Sequence, residues 1–254
     1  MLIKAYFDES GTHDLGTMTM GAVVGDTANW AAYGERVHAL FAEFGVQSFH
    51  AQDWKHNKGE FKGMDPTRRV QFIDRFGEAI HQSVACGFCA VLNLEDYRTF
   101  YETPLRAAGK QPESAYAICF RAVLGKITEA VLTRPDWREC SIDVVIERGH
   151  RNLRGAEAAF NAARGIVRSK FGELLGTFKV SSRGESPELC AADSLATSGW
   201  SIEAGKIPKL RLEGESRTDA SYKGNYYRLE VGQDALVELA NARPSPRRLR
   251  KRAA

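Results

Sequence analysis

The chain has 254 residues with a formal net charge of +3, and 43% of its residues are apolar and 26% charged, as in ordinary globular proteins. No apolar run approaches the ~20 residues that a membrane-spanning helix needs, and the start, MLIKAYFDES, lacks a signal peptide's apolar stretch. Five cysteines, an odd number, do not suit a disulfide framework, so the composition predicts a cytoplasmic, reduced protein without a membrane association.

The positive charge is concentrated at the end of the chain. Residues 243–254, RPSPRRLRKRAA, hold six basic residues and no acidic one, so without them the net charge of +3 becomes −3. We predict a domain over residues 1–242 and a basic, disordered tail over 243–254. Such tails bind nucleic acid or another polyanion, or serve only as a solvated end. The candidate nucleic-acid-binding residues are Arg247, Arg248, Arg250, Lys251 and Arg252.

The first predicted elements are a hairpin and a helix. The hairpin has strands over residues 2–8 and 17–25 and a turn at 12–16. Apolar residues then recur at helical spacing over residues 27–44, and Gly45 is placed to end that helix.

A polar loop and a second helix are predicted next. The stretch 48–65 is irregular and is interpreted as a surface loop. Asp65 and Pro66 are a favourable helix start, a capping oxygen followed by proline at the first helical position. This helix should run to Ser83. Its expected buried residues are Val70, Ile73, Phe76 and Ile80.

From residue 84 onward, strand and helix patterns alternate. The predicted strands are 84–94, 141–149 and 175–182; the predicted helices are 113–132, 154–172 and 186–205; a short strand and a last helix share 224–242. A hairpin followed by this alternation predicts an α/β fold. Its mixed sheet should be antiparallel at one side and parallel at the other, with helices packed on it.

Three carboxylates stand where apolar residues would be expected. Asp8 directly follows the strand residues Ala5-Tyr6-Phe7, and Glu147 ends the apolar strand DVVIE. Asp193 lies in the middle of an apolar helix face, listed as Leu189, Ala192, Asp193, Ala196 and Trp200. A buried, unpaired carboxylate costs several kcal/mol, so each of the three needs a partner.

A bound divalent cation would supply that partner. Oxygen ligands from separate elements suit Mg²⁺ or Mn²⁺, and sites in open α/β sheets lie at the carboxyl ends of strands. Glu9 is a further candidate, as a fourth ligand or a base that orients water. It joins the site only if the strand ends or bulges there, because adjacent strand residues face opposite ways.

Each carboxylate also has a structural interpretation. Asp8 and Glu9 are compatible with turn chemistry before Gly11-Thr12. Glu147 could instead pair with a nearby arginine, namely Arg148, Arg151 or Arg154. Asp193 could pair with an arginine of a neighbouring element. The metal interpretation depends on the three acids occurring together in this order of elements.

Two short motifs resemble a known family. YFDESG at residues 6–11 and SPELCAADSLATSGW at 186–200 resemble the bacterial family catalogued as domain of unknown function 3800. The resemblance spans roughly residues 3–205 and also aligns Glu147 and the pair His50-Ala51. Two positions depart from the family pattern: Cys190 stands where glutamine is usual, and Glu147 where aspartate is common.

The resemblance implies a ribonuclease-H-like fold and two-metal cleavage of phosphodiesters. It also implies an association with mobile elements or phage defence. Under it, Asp8, Glu9, Glu147 and Asp193 are the catalytic candidates, and Asp8, Glu147 and Asp193 would hold Mg or Mn. Ser10, His50 and Asp53 are candidates for the border of the site.

Two other motifs give weaker evidence of a function. Cys86 and Cys89, three apart on a strand, should point to opposite faces and be core thiols. Tyr226 and Tyr227 could stack on bases, although strand tyrosines usually serve packing.

We therefore predict a metal-dependent nuclease acting on DNA or RNA. Two alternatives stay open: a nucleic-acid-binding subunit that does not cut, and a metal-dependent phosphatase for a small substrate. The sequence leaves the kind of strand, the oligomeric state and any protein partner open.

Overall fold

The strands form one mixed sheet. A computed structural model describes residues 2–11, 16–137, 139–203 and 225–242. Its strands are β1 (Leu2–Ser10), β2 (Thr17–Asp26), β3 (Cys86–Asn93), β4 (Ser141–Glu147), β5 (Leu175–Ser181) and β6 (Asn225–Glu230). In the described part they form a six-stranded sheet of order β5-β4-β1-β2-β3-β6.

The direction of the strands confirms the predicted mixed sheet. β2 pairs antiparallel with both β1 and β3, whereas β1/β4 and β4/β5 are parallel pairs. β6 adds a further parallel pair beside β3. This arrangement of strands, with helices on both faces, is an α/β fold consistent with the ribonuclease-H-like class.

Helices cover both faces of the sheet. They are α1 (Thr27–Phe44), α2 (Ala51–His56), α3 (Pro66–Ser83), α4 (Leu94–Tyr97), α5 (Thr103–Ala107), α6 (Ala115–Thr133), α7 (Leu153–Phe171), α8 (Leu189–Glu203) and α9 (Gln233–Ala242). Short 3₁₀ turns lie at Gly59–Phe61 and Pro135–Trp137, and a π turn at Arg98–Glu102 joins α4 to α5. No helix of the described residues combines the length and apolar character needed to cross a membrane.

Two apolar cores lie on opposite faces of the sheet. Alternation along β1 and β4 sends Phe7 and Ile146 into the core beneath α6 and α7. Tyr6 and Val145 enter the other core, beneath α1, α3 and α8. The run Val144-Val145-Ile146 is therefore buried on both faces, as its lack of alternation predicts.

Local signals explain the helices that the sequence predicts best. Asp26 and Asn29 form a reciprocal capping box at the start of α1, and Gly45 ends it with φ 71°. Asp65 accepts hydrogen bonds from Thr67 and Arg68 at the start of α3. Both helices have the predicted bounds.

The structure corrects several sequence-based expectations. The segment 48–65 is not a continuous loop, since it holds α2 and a 3₁₀ turn anchored by the buried Phe61. Val70 is 53% exposed, whereas Phe72 is fully buried, because the buried stripe of α3 is rotated from the predicted one. The helical segment over residues 94–107 was not predicted at all. The predicted hairpin turn at 12–16 lies outside the described residues except for Gly16.

An aromatic cluster positions the start of α2. Phe49 packs against Phe76 with ring centroids 4.6 Å apart, and against Phe72 and Phe61 at 6.0 Å. Each buried aromatic ring contributes a large apolar area to the core beneath α1 and α3. The chain just after Phe49, carrying His50 and Ala51, is thereby fixed against α8.

Candidate active site

Asp8 and Glu147 lie side by side on neighbouring parallel strands. The β1/β4 register pairs Phe7 with Ile146, so the two acids follow one residue later on the two strands. Strand alternation places both on the face that α8 covers. Asp8 is 2% exposed, and the Glu147 side chain 22%.

Asp193 reaches the same place from α8, on the face covering β1 and β2. It is 3% exposed, and the apolar face predicted around it is buried throughout. Its Oδ2 accepts a hydrogen bond from the backbone N–H of Ala51 at 2.7 Å, and its Oδ1 accepts one from the Thr197 hydroxyl at 3.3 Å. The aromatic anchor of Phe49 thus helps to hold the Asp193 carboxylate in place.

The helix α8 lies unusually close to the sheet at Gly21. A Cβ at this position would come within 2.7 Å of the Ala196 backbone nitrogen and 2.8 Å of the Ala192 carbonyl oxygen. The Thr19 hydroxyl also donates to the Ala196 carbonyl at 2.8 Å. This close contact sets the depth at which Asp193 stands over the strand ends.

Arg183 joins the three carboxylates. It follows β5 in the turn before α8, and its Nη2 lies 2.9 Å from Asp8 Oδ2 and 2.6 Å from Glu147 Oε2. The same nitrogen lies 3.7 Å from Asp193 Oδ2. All three acids therefore converge on one positively charged atom, and the predicted convergence of these side chains is present.

The partner of Glu147 differs from the arginines that the sequence suggests, whereas Asp193 does lie beside an arginine of a neighbouring segment, as its structural interpretation predicts. Arg148 pairs with Glu185 instead of Glu147. Arg151 and Arg154 do not pair with Glu147 in the described structure. The arginine beside Asp193 is Arg183, which no sequence pattern marks because it lies in an irregular turn.

One guanidinium does not balance the charge of this site. Burial raises the pKa of Asp8 well above its usual value, and the charges of Asp193, Glu9 and Glu147 raise it further despite Arg183. Burial likewise raises the pKa of Asp193, against the lowering effect of Arg183 and the Ala51 N–H. The single charge of Arg183 is therefore not enough to offset the effect of burial on Asp8 and Asp193.

The donor set suits a hard divalent cation such as Mg²⁺ or Mn²⁺. Asp8, Glu147 and Asp193 supply carboxylate oxygens from three separate elements. In the described residues, however, no three His, Cys, Asp or Glu side chains have the spacing of a metal site. A cation held by these acids would have to displace Arg183, whose Nη2 lies within 3.7 Å of an oxygen of each acid.

Glu9 faces the other side of the sheet. β1 runs in regular register through Ser10, without the bulge or strand end that would turn Glu9 toward Asp8. Its Oε1 lies 3.9 Å from His150 Nε2, and that imidazole stacks on Tyr116 with centroids 3.9 Å apart. Burial, followed by the charge of Glu147, raises the pKa of Glu9 to about 7.

An open cleft of about 830 Å³ leads to these groups. Ser10 and His50 line it, as do Glu9 and the three converging acids. Asp53 stands behind His50, with its Oδ2 3.4 Å from His50 Nδ1. The cleft rim is basic and is formed by Lys55, His56, Arg148 and Arg151.

Two glycines shape the cleft at the strand ends. Gly11, the last residue of the DESG motif, has φ 80° and lies against Trp200, where a Cβ would come within 2.6 Å of the indole ring. Gly149 has φ 113° and turns the chain two residues after Glu147. The following loop returns His150 and Arg151 to the cleft.

The remaining sequence candidates lie away from this cleft. Cys86 and Cys89 are buried on opposite faces of the sheet, and burial raises the pKa of each to about 12, as predicted for core thiols. Tyr227 stacks on Phe88 at 5.1 Å and is 45% exposed, while Tyr226 packs against the core beneath α8. The basic residues from Arg247 to Arg252 lie outside the described residues.

The comparisons with known proteins leave the resemblance resting on the motifs alone. No protein-family model matches the chain, and no curated protein matches it.

Proposed function

We propose that the protein is a metal-dependent nuclease that hydrolyses phosphodiester bonds in DNA or RNA. Asp8, Glu147 and Asp193 would hold Mg²⁺ or Mn²⁺ at the carboxyl ends of β1 and β4. A cation held there supplies electrostatic stabilisation of the negative charge that develops on the phosphoryl oxygens.

One observation carries this proposal. Oxygens of three carboxylates from separate elements all lie within 3.7 Å of a single nitrogen, that of Arg183. Two of these acids are almost fully buried, and burial raises the pKa of both, which disfavours their charged forms when no further cation is near. A divalent cation at the position of the guanidinium would stabilise those charged forms.

The surroundings of the carboxylates favour a phosphate-bearing substrate. Arg151 and His56 are exposed at the rim, and Lys55 lies over the Trp200 ring at 4.7 Å. These groups would attract and orient a polyanion above the carboxylates. If a cation took its place beside the acids, the Arg183 guanidinium could instead bind the same phosphate as a bidentate donor.

The proposal places the protein in the cytoplasm. All five cysteines are free and buried, which is the usual state of thiols in a reducing compartment. A link to phage defence or mobile elements is carried by the family resemblance and not by the geometry. Neither the resemblance nor the geometry identifies a protein partner.

The test is cleavage of labelled single- and double-stranded DNA and RNA with Mg²⁺, with Mn²⁺ and with chelator. We expect cleavage of at least one substrate that needs the metal and falls at least 100-fold in Asp193→Asn and Glu147→Gln. Asp74→Asn, an exposed acid of α3, is the charge-matched control and should cleave normally. Chelator-resistant cleavage, or equal rates in all variants, would contradict the proposal.

The Arg183 contacts also favour one second candidate, a nucleic-acid-binding protein that does not cut. In that case Arg183 is a permanent partner of the three acids and no cation replaces it. Such a protein would bind the same nucleic acids, with no turnover and no thermal shift on addition of Mn²⁺.

A further inference from the structure

A second depression continues from the cleft away from the three carboxylates. It has two parts of about 440 and 460 Å³, between the α4–α5 segment and the starts of α6 and α7. His150 and Arg151 line both the cleft and the first part, and Arg151 and Asn152 line both parts. The three spaces therefore lie next to one another along the loop that follows Glu147.

Four arginines line the two-part depression, which we call the arginine groove. They are Arg98, Arg106, Arg151 and Arg154. All four are exposed. In the described structure Arg98, Arg151 and Arg154 form no ion pair, which distinguishes them from Arg106, bound to Glu102 at 2.8 Å. Exposed arginines without acidic partners are available to an anionic ligand.

The acidic residues of the groove do not neutralise these arginines. Glu102 is bound to Arg106, and Glu113 pairs with Arg121 at 3.1 Å. The groove thus combines three arginines lacking ion-pair partners with two acids already paired.

Two helix starts add to the positive potential. α6 begins at Ala115 after its cap Ser114, and α7 begins at Leu153 after Asn152. Ser114, Ala115 and Asn152 all line the groove, so the positive ends of two helix dipoles face the same space as the arginines.

We propose that the arginine groove binds the phosphate backbone of the nucleic-acid strand on one side of the bond to be cut. This inference rests on the proposed nuclease function and adds the path of the substrate. Arg151 lines both the groove and the cleft, so a strand held by its phosphates in the groove would continue into the cleft that Asp8 and Glu147 line. Contacts to phosphates alone would give affinity without sequence preference.

The test compares Arg98→Gln/Arg151→Gln with the control Arg36→Gln/Arg168→Gln. The control removes the same charge from α1, on the other side of the sheet, and from the far end of α7. All four side chains are exposed, so both variants should fold, which thermal unfolding verifies. The probes are a fluorescein-labelled 20-nucleotide DNA, the same sequence in RNA, and their duplexes, over a salt series with chelator present.

We expect the groove variant to bind about tenfold more weakly at moderate salt. The slope of log affinity against log salt concentration should be smaller in magnitude by about 1.4 on single strands. The control should match the wild type, and the nucleic acid with the largest difference identifies the strand type. Equal behaviour of the two variants would overturn the groove and leave the nuclease proposal standing. Weakened binding in the groove variant with no metal-dependent cleavage by the wild type would keep the groove and overturn the nuclease. Absence of binding to every probe would overturn both.

Discussion

Nη2 of Arg183 lies 2.9 Å from the buried carboxylate of Asp8. The same nitrogen is 2.6 Å from Glu147. Under the proposed function the site would have two arrangements, the observed one with the arginine beside the acids and one with a metal ion in its place. The relative stability of the two would then decide whether the protein cleaves its substrate.

Replacing Arg183 should separate these arrangements. In Arg183→Gln the acids lose their internal partner, so the metal-free protein should lose about 3 kcal/mol of stability at pH 7.5. Added Mn²⁺ should restore stability and raise the melting temperature more than it does in the wild type, because no guanidinium competes for the oxygens. Thermal unfolding with Mn²⁺ and with chelator measures this. Arg148→Gln, which breaks an exposed pair with Glu185, is the control and should change little.

Neutralising Asp193 should have the opposite effect on the metal-free protein. Because burial raises the pKa of Asp193, its charged form is disfavoured in the folded state, and Asp193→Asn should be as stable as the wild type or more stable. The Asn carbonyl can still accept the Ala51 N–H. Mn²⁺ should stabilise this variant less than it stabilises the wild type. Unfolding of this variant at pH 7.5 without metal would identify Asp193 as a structural partner of Arg183.

The stability of the metal-free protein should depend on the titration of Glu9. Its pKa rises from 4.5 to about 7 on folding, so the folded state holds the proton more tightly than the unfolded chain. The stabilisation that this proton gives to the folded state is complete below pH 4.5 and is lost as the pH rises through 7. Glu9→Gln should therefore gain stability relative to the wild type between pH 4.5 and 8, by up to about 3 kcal/mol. Urea unfolding of the wild type and the variant at pH 4.5 and at pH 8 measures this. An equal difference in unfolding free energy at the two pH values would refute it.

Gly21→Ala should disturb the position of α8. The added methyl group meets the backbone at Ala192 and Ala196, which cannot rotate away, so we expect a loss of about 1–3 kcal/mol and weaker metal binding. Gly165→Ala, in exposed α7 with no atom within 4 Å of the new Cβ, should instead stabilise by about 0.5–1 kcal/mol. Chemical unfolding measures the free energy of unfolding of the two variants. Equal changes would mean that α8 shifts to accommodate the added methyl group without cost.

Deleting residues 243–254 should weaken nucleic-acid binding and flatten its salt dependence, since six basic residues are removed. The cleavage rate at saturating substrate should stay nearly unchanged, because the deleted segment supplies none of the three converging acids. An unchanged salt slope would show that the tail is a solvated end, and a collapsed saturated rate would show that it completes the site.

The sequence predicts those parts of the protein that depend on local signals. The capping box at Asp26 and the stop at Gly45 define α1, and strand alternation with helix periodicity brings Asp8, Glu147 and Asp193 to one region. Arg183 could not be predicted, because its role depends on where the turn after β5 meets two strands and a helix. The buried stripe of α3 was misplaced because Val70 and Phe72 both fit an apolar pattern. Only tertiary packing, against aromatic rings such as Phe41 and Phe49, selects Phe72.

The proposed exchange of Arg183 for a metal ion among the three carboxylates can be tested by anomalous scattering from a crystal of Mn²⁺-soaked protein. We expect a manganese peak within about 2.0–2.4 Å of oxygens from Asp8, Glu147 and Asp193, with Arg183 moved away from them. A guanidinium still bound to Asp8 and Glu147, with no peak among the three acids at saturating Mn²⁺, would contradict it.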